Sequence, residues 1–145
     1  MNKHKRTPWW KKVPTVPRLE RAHIDRRGSL QVIASSRSLG TRFGSVVVIA
    51  SKKGTVRANH RHHEDSHLCY VVSGKMLYLE RKPGAVRPNK RVVVPAGRAV
   101  FTPPKVDHAM KFLKDTVFIT VADRHRSQDD YESDLVRLDP PMIRG

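Results

Sequence analysis

A chain of 145 residues has the size of one domain and can bury a hydrophobic core without a disulfide or a structural metal. Its single cysteine, Cys69, excludes an intramolecular disulfide framework and a four-cysteine zinc site. No apolar run approaches the ~18 residues that cross a bilayer, and the N-terminus lacks the apolar stretch of a secretory signal peptide. We therefore expect a soluble, cytoplasmic protein with no membrane partner.

The net charge of +16 comes from 29 lysines and arginines against 13 aspartates and glutamates. Charge of this size attracts polyanions, so one interpretation is a contact with nucleic acid or another polyanion, or a phosphorylated substrate. The other interpretation is solubility, or a host whose proteins are generally basic. The second is favoured because the sequence contains no basic motif with interleaved aromatic residues of the RNA-binding kind.

Residues 1–18 are predicted to form a basic N-terminal arm, and residues 19–145 to form the folded domain. Three prolines oppose both helix and sheet in the arm, which we expect to be dispensable for folding. Trp9 and Trp10 are the exception, because paired tryptophans should pack on the domain or on a second subunit. A chain starting near Arg18 should therefore melt close to the whole chain, unless Trp9 and Trp10 dock in a dimer.

Beyond the arm, short runs rich in β-branched residues recur between glycines, and no stretch shows the apolar stripe of an amphipathic helix. An exposed loop is predicted over residues 83–90, and Ser127 opens a sequence of capping-box form that predicts one helical turn. Many short strands at close spacing indicate an all-β sandwich or barrel. The predicted strands span residues 30–34, 45–51, 68–73, 76–81, 91–94, 99–102 and 117–122.

Four of the eight histidines can be sorted by their position in the sequence. His60 and His62 are two residues apart, and alternate side chains of a strand share a face, so the two imidazoles should project together. His67 begins the next apolar run, and His108 lies just ahead of another strand. His63 has the opposite parity and is expected outside the pocket. Spacing alone leaves open a metal site or ordinary surface and core histidines.

The segments around these histidines resemble the two motifs of the cupin superfamily. Residues 54–74 resemble the first motif, in which a glycine precedes the H-x-H pair, a third ligand and a second glycine. Residues 97–112 resemble the second, which places a proline and a histidine after a glycine. The resemblance implies a cupin double-stranded β-helix, or jelly-roll barrel, whose ligands point into its mouth. The implied metal ligands are His60, His62, His67 and His108.

This sequence departs from the cupin motifs at three positions. His67 stands where the family usually has glutamate, and Lys105 and Phe112 replace a glycine and an asparagine of the second motif. The histidine removes a negative charge from the ligand set. A site of neutral nitrogens favours zinc, iron, nickel or copper over manganese or magnesium. We therefore expect one divalent transition metal as the cofactor.

A second resemblance is to the nucleotide-sugar ketoisomerases of the superfamily, which carry H-x-H and use histidine as a proton shuttle without metal. The turn at residues 25–28 and the tail at residues 131–138 are similar to theirs. This resemblance implies that His60 or His62 acts as a general base. Surface arginines would then grip the diphosphate of the substrate.

The first hypothesis is a metal-binding cupin, an enzyme such as an oxygenase or isomerase that acts on a small organic substrate. The alternatives are a metal-free nucleotide-sugar isomerase or epimerase, and a non-catalytic ligand-binding cupin. Cupins of this size often pair, so we expect a homodimer. Strand parity predicts an apolar pocket wall that includes Cys69, Val71 and Met110, whereas the nearest cations, Arg57 and Arg61, are left unplaced.

Overall fold

The computed structural model describes residues 7–19, 21, 23–26, 28–30, 33–34, 39, 44–124 and 128–145. A 3-10 helix spans Trp9–Lys12, and an α-helix, α1, spans Gln128–Ser133. All the other regular elements with stated bounds in these ranges are strands. They are β1 His23–Asp25, β2 Gly28–Leu30, β3 Ser45–Ser51, β4 Val56–His62, β5 His67–Ser73, β6 Lys75–Arg81, β7 Lys90–Pro95, β8 Ala99–Thr102, β9 Asp107–Phe112, β10 Thr116–Ala122 and β11 Leu135–Arg137.

Two antiparallel sheets form the barrel. One has four strands in the order β3-β10-β5-β8, and the other has five in the order β11-β4-β9-β6-β7, while β1 and β2 form a separate hairpin. Strands distant in sequence are neighbours in both sheets, as in a jelly roll. The prediction of an all-β double-stranded β-helix is confirmed.

The hydrophobic core lies between the two sheets, where alternate side chains of the strands point inward. Phe112 and Phe118 stack with their ring centroids 5.6 Å apart, one from each sheet. Cys69, Met110 and Phe118 belong both to this core and to the lining of the cavity described below. The core therefore forms the floor of the candidate site.

The N-terminal arm packs on the outer face of the four-stranded sheet. The ring of Trp9 lies 6.0 Å from that of Phe101, which is almost fully buried. The amide of Phe101 also donates to the carbonyl of Thr15 at 2.6 Å. Trp9 and Trp10 dock on their own chain, one of the two places that the sequence predicts. The division of the chain at residue 18 stays a prediction.

The strands predicted over residues 45–51 and 99–102 have the predicted bounds, and four others agree within one residue at either end. The sequence predicted no strand at β4, β9 or β11. Polar or charged residues interrupt or flank the apolar residues of each, so none of them is an apolar run. The strand predicted at 30–34 meets β2 only at Leu30. Residues 31 and 32 lie outside the described residues, and Ile33 and Ala34 are not in a strand, so the predicted end is wrong. Helix α1 begins at Gln128, and its expected cap, Ser127, also lies outside them. Within the described ranges, no helix has the length and apolar character needed to cross a membrane.

Candidate active site

A cavity of about 330 Å³ opens between the two sheets. Its walls combine the inward faces of β4, β5, β9 and β10 with residues from α1 and β11. The apolar part of the lining contains Cys69 and Met110, as parity predicts, whereas Val71 lies deeper in the core. The polar side chains of the lining include His60, His62, Asp65, His67, His108 and Tyr131.

The structure brings the four predicted histidines together. The ring centroid of His60 lies 4.8 Å from that of His62 and 4.7 Å from that of His108. His67 lies 5.3 Å from both His62 and His108 by the same measure. One ring nitrogen from each of His60, His62 and His108 lies within 4.8 Å of the other two, a set that does not include His67. His63 is exposed, so its predicted exclusion is confirmed.

His62 has a carboxylate partner from the C-terminal part of the chain. Its Nδ1 lies 3.3 Å from Oδ2 of Asp134, which follows helix α1. A carboxylate oxygen accepts, so this contact favours the tautomer in which Nδ1 of His62 carries the proton. Nε2 of His62 is then left with a lone pair, as a base or a metal ligand requires.

Backbone amides hold Asp134 in place. Its Oδ1 accepts from the amide of Glu64 at 3.0 Å, and Oδ2 accepts from the amide of Asp65 at 3.1 Å. His62, Asp65 and Asp134 also offer ligand atoms within 4.8 Å of one another. N–H groups donate to both oxygens of Asp134. We therefore interpret Asp134 as a hydrogen-bond acceptor for His62 rather than as a ligand of a cation.

His108 is fully buried and neutral. Burial and the nearby His62 together lower the pKa of His108 from 6.5 to about 3, against the opposing effect of the Val106 carbonyl. Nδ1 of His108 lies 3.3 Å from that carbonyl and donates to it. Nε2 is therefore unprotonated, and it has no hydrogen-bond partner in the described part of the chain.

Asp65 is a buried carboxyl group at the edge of the cavity. Burial raises the pKa of Asp65 from 3.8 to about 6, and the nearby Asp134 and Asp123 add to the rise. The amides of Ser66 and Arg124, which donate to its Oδ1 at 2.9 Å and 3.1 Å, oppose it. The group is poised to exchange a proton near neutral pH.

A β-bulge in β4 sets the direction of Arg57. His60 pairs with His108, but Ala58 pairs with Ala109, so Asn59 is an extra residue on β4. Ala58 and Asn59 have φ angles of 67° and 52°, in the left-handed region. Asparagine tolerates this region, whereas an alanine there costs about 1–2 kcal/mol.

The extra residue reverses the alternation of side chains before it. Arg57 consequently pairs with Met110, which lines the cavity. The guanidinium reaches the opposite sheet, where Nε donates to Oγ of Ser51 at 2.6 Å and Nη2 to the carbonyl of Ala50 at 3.3 Å. Arg137 lines the same cavity, and Glu132 pairs with it at 2.8 Å.

Sequence reasoning missed Asp134, Tyr131 and Asp65 as members of the site. Their one signal was the similarity of the tail at residues 131–138 to ketoisomerase tails, which indicated a family but not a place in the fold. Arg57 was noted as a nearby cation, yet a regular strand would have placed it opposite in parity to the histidines. Arg61 lies on the outer side of the barrel, where it pairs with Asp107 at 3.1 Å.

An antiparallel barrel of two sheets with a histidine cluster inside it has the architecture of a double-stranded β-helix. The family model described as Cupin domain matches residues 47–122, which is more than half of the chain. The chain belongs to the cupin family. A comparison with curated proteins finds no match.

Solved structures of similar fold include three enzymes of nucleotide sugars. The QdtA 3,4-ketoisomerase from Thermoanaerobacterium thermosaccharolyticum, a double mutant in complex with TDP, is 20% identical, with a TM-score of 0.68 over 83% of this chain and 84% of that one. The WlaRB TDP-quinovose 3,4-ketoisomerase from Campylobacter jejuni is 15% identical, with a TM-score of 0.69 over 83% and 89% of the two chains. ChmJ, a 3'-monoepimerase from Streptomyces bikiniensis in complex with dTDP-quinovose, is 17% identical, with a TM-score of 0.69 over 88% and 71%. At these identities the likeness establishes the fold.

Proposed function

We propose that the chain isomerises or epimerises a nucleotide-linked sugar by proton transfer, with His62 as the general base and no metal. The observation that carries the proposal is the 3.3 Å contact between Nδ1 of His62 and Oδ2 of Asp134. This contact presents the lone pair of Nε2 to a substrate. It also stabilises the positive charge that the ring gains when it takes up a proton.

The chemistry needs one base and one acid. Moving a keto group to the neighbouring carbon of a sugar begins when a proton leaves the hydroxyl-bearing carbon next to the carbonyl. The resulting enediol takes up a proton on the former carbonyl carbon, so atoms and electrons balance within the sugar. An epimerisation removes the same proton and returns one to the opposite face of that carbon. Both reactions therefore suit a histidine whose protonation is controlled by a neighbouring carboxylate.

Tyr131 is the candidate proton donor to the sugar oxygen. It lies on α1, and its ring centroid is 5.8 Å from that of His62 and 6.2 Å from that of His60. A phenol carries a proton at neutral pH, so it can donate to an oxygen on which negative charge develops. His60 is the second candidate base, because it occupies the other position of the H-x-H pair.

Two arginines at the cavity support a nucleotide-linked substrate. Arg57 and Arg137 both line it, and guanidinium groups bind phosphate oxygens through paired hydrogen bonds. Among the structural neighbours, QdtA is solved with TDP and ChmJ with dTDP-quinovose. A thymidine diphosphate sugar is therefore the first substrate to test.

The test is proton exchange in heavy water. The protein is incubated with TDP-4-keto-6-deoxyglucose, the ligand in another QdtA structure, and NMR follows deuterium at the carbons beside the carbonyl and any product. His62→Ala should abolish exchange, whereas the matched control His63→Ala should retain it, because His63 is exposed. Absence of both exchange and product with nucleotide-linked ketosugars would contradict the proposal. Binding without exchange would favour a non-catalytic cupin.

A metal-dependent enzyme is the second candidate function. The donor set fits one divalent transition metal, because His60, His62 and His108 offer nitrogens within 4.8 Å of one another. Nε2 of His108 is unprotonated, buried and without a hydrogen-bond partner in the described residues. When bound, zinc, iron, nickel or copper would supply a Lewis acid for a carbonyl or hydroxyl group.

Elemental content of the purified protein tests the metal site. His108→Ala should remove the metal if the three nitrogens hold it. The measurement is made at about pH 7.5 and about pH 5, either side of the reference pKa of histidine at about 6.5, since coordinating imidazoles must be deprotonated. No metal at the higher pH after incubation with the four ions would exclude this candidate.

A further inference from the structure

We propose that Asn59 and the C-terminal tail, Leu138 to Gly145, together position Arg57 for substrate binding. The inference rests on the proposed function in one respect, since it takes Arg57 as a residue that binds the phosphate groups of the substrate. The affinity of the cavity for its substrate then depends on a contact outside the cavity, between Asn59 on β4 and the C-terminal tail.

The side chain of Asn59 binds the tail through three hydrogen bonds. Its Oδ1 accepts from the amides of Met142 at 2.9 Å and Ile143 at 3.2 Å, and its Nδ2 donates to the carbonyl of Ile143 at 3.0 Å. The carbonyl of Asn59 also accepts from the amide of Leu138 at 2.9 Å. Asparagine thus satisfies both backbone groups of Ile143 with one side chain, which neither alanine nor leucine could do.

The tail runs along β4 and the neighbouring edge of the sheet. The carbonyl of Arg144 lies 3.4 Å from Nζ of Lys111 on β9. A Cβ added at Gly145 would lie 3.4 Å from the carbonyl oxygen of Gly54, just before β4 begins. The tail therefore contacts the strand pair at the bulge and before it, while β11, which precedes the tail, pairs with β4 after the bulge. We infer that these contacts hold β4 in its irregular course.

The bulge in turn determines what Arg57 can reach. With the extra residue, Arg57 pairs with Met110, and its exposed side chain lines the cavity and donates to Ser51 on β3. Without it, regular pairing from His60 and His108 would set Arg57 opposite Lys111, on the outer face of the sheet. The cavity would lose the cation of Arg57, although no residue of the chain would be substituted.

A glycine at position 59 separates the effect of backbone geometry from the effect of the hydrogen bonds between Asn59 and the tail. Asn59→Gly permits the left-handed φ of 52° without strain but removes the three side-chain hydrogen bonds. A chain that ends at Pro141 removes the partners, Met142 and Ile143, and leaves Asn59 intact. Asn59→Asp keeps the two acceptor contacts and loses the donor. Asn89→Gly, at an exposed loop position, is the matched control.

The readout is the affinity of the wild type and of each variant for thymidine diphosphate, measured by calorimetry, with circular dichroism as the check of folding. Arg57→Ala should weaken binding about 10- to 100-fold, the range for loss of a charged hydrogen bond. Asn59→Gly and the shortened chain should each weaken it about three- to tenfold, and combining the two should cost no more than either alone. Asn59→Asp should fall between Asn59→Gly and the wild type, and Asn89→Gly should match the wild type.

The Arg57→Ala background distinguishes positioning from general loosening of the fold. If Asn59 acts through Arg57, Asn59→Gly should have no further effect on affinity once Arg57 is absent. An equal loss of affinity in both backgrounds would overturn the proposal, as would wild-type affinity in Asn59→Gly and in the shortened chain. Wild-type affinity in Arg57→Ala itself would instead contradict the phosphate-binding role taken from the proposed function.

Discussion

Replacing Asp134 with asparagine tests the proposed base directly. The carboxylate receives three N–H groups, one from His62 and two from the amides of Glu64 and Asp65. Asparagine has nearly the same shape, but only one of its two terminal atoms accepts a hydrogen bond. The substitution therefore changes the hydrogen-bond chemistry with little change of packing.

Either orientation of the new amide disturbs the site. With its oxygen towards His62, the amide nitrogen faces the N–H of Glu64. With its oxygen towards Glu64, the nitrogen donates to Nδ1 of His62, so the ring must carry its proton on Nε2 and cannot act as a base there. Both orientations lose the negative charge that stabilises a protonated His62. We expect kcat to fall about 10²- to 10⁴-fold, the usual contribution of general acid–base catalysis.

Stability should fall much less than activity. Each orientation leaves one backbone N–H without its acceptor, which costs about 1–3 kcal/mol. A domain of this size loses about 2–4 °C in Tm for each kcal/mol, so the variant should remain folded at 25 °C. Activity is measured as deuterium exchange by NMR and stability by thermal melting. Asp129→Asn, at an exposed position of α1, is the control. A folded Asp134→Asn variant with wild-type kcat would refute the assignment of His62 as a base oriented by Asp134.

Two further predictions concern stability. Asp65 is harder to ionise in the folded chain, with a pKa of about 6 against 3.8, so its charge costs stability as pH rises from about 4 to above 6. Asp65→Asn should therefore melt above the wild type at about pH 7.5 and level with it below about pH 4; a constant difference across this range would contradict the burial argument. A chain starting at Arg18 should melt about 5–15 °C lower, because Trp9 and Trp10 cover buried residues of the outer cluster; an unchanged Tm would show that the arm is dispensable.

The sequence predicted the parts of the fold that local pattern determines. The β-branched runs at β3 and β8 gave strands with the observed bounds, since such runs fit a half-buried sheet whatever surrounds them. Strand β4 carries five polar or charged residues among seven and has no apolar pattern, yet its H-x-H spacing was sufficient to place His60 and His62 on one face. His108 came from motif resemblance, because nothing in its neighbourhood relates it to residues more than forty positions earlier.

The parts that the sequence did not predict depend on contacts between distant residues. Asp134 meets His62 because β11 pairs with β4. The residues beside Asp134 in sequence, Ser133 and Leu135, carry no pattern that would mark it as part of a site. Asn59, the extra residue of the bulge, contacts Met142 and Ile143, 83 and 84 residues away. No local periodicity carries such information. The homodimer, the polyanion contact and the cytoplasmic location remain predictions from composition and family resemblance.

Zinc titration distinguishes the two candidate functions, since a base and a metal ligand use the same lone pair. The proposed tautomer of His62, donating through Nδ1 to Asp134, leaves Nε2 for either role, and His108 has the same arrangement through the carbonyl of Val106. A zinc ion held by these nitrogens would occupy the base. If proton transfer by His62 without metal is the reaction, added zinc should inhibit deuterium exchange and a chelator should restore it. If the enzyme depends on metal, the chelator should abolish exchange and zinc should restore it.

The variant His108→Ala adds a second comparison, because it removes one of the three nitrogens and leaves His62 in place. The variant should resist inhibition by zinc if the base acts alone, and zinc inhibition that persists unchanged in it would place the inhibitory ion elsewhere.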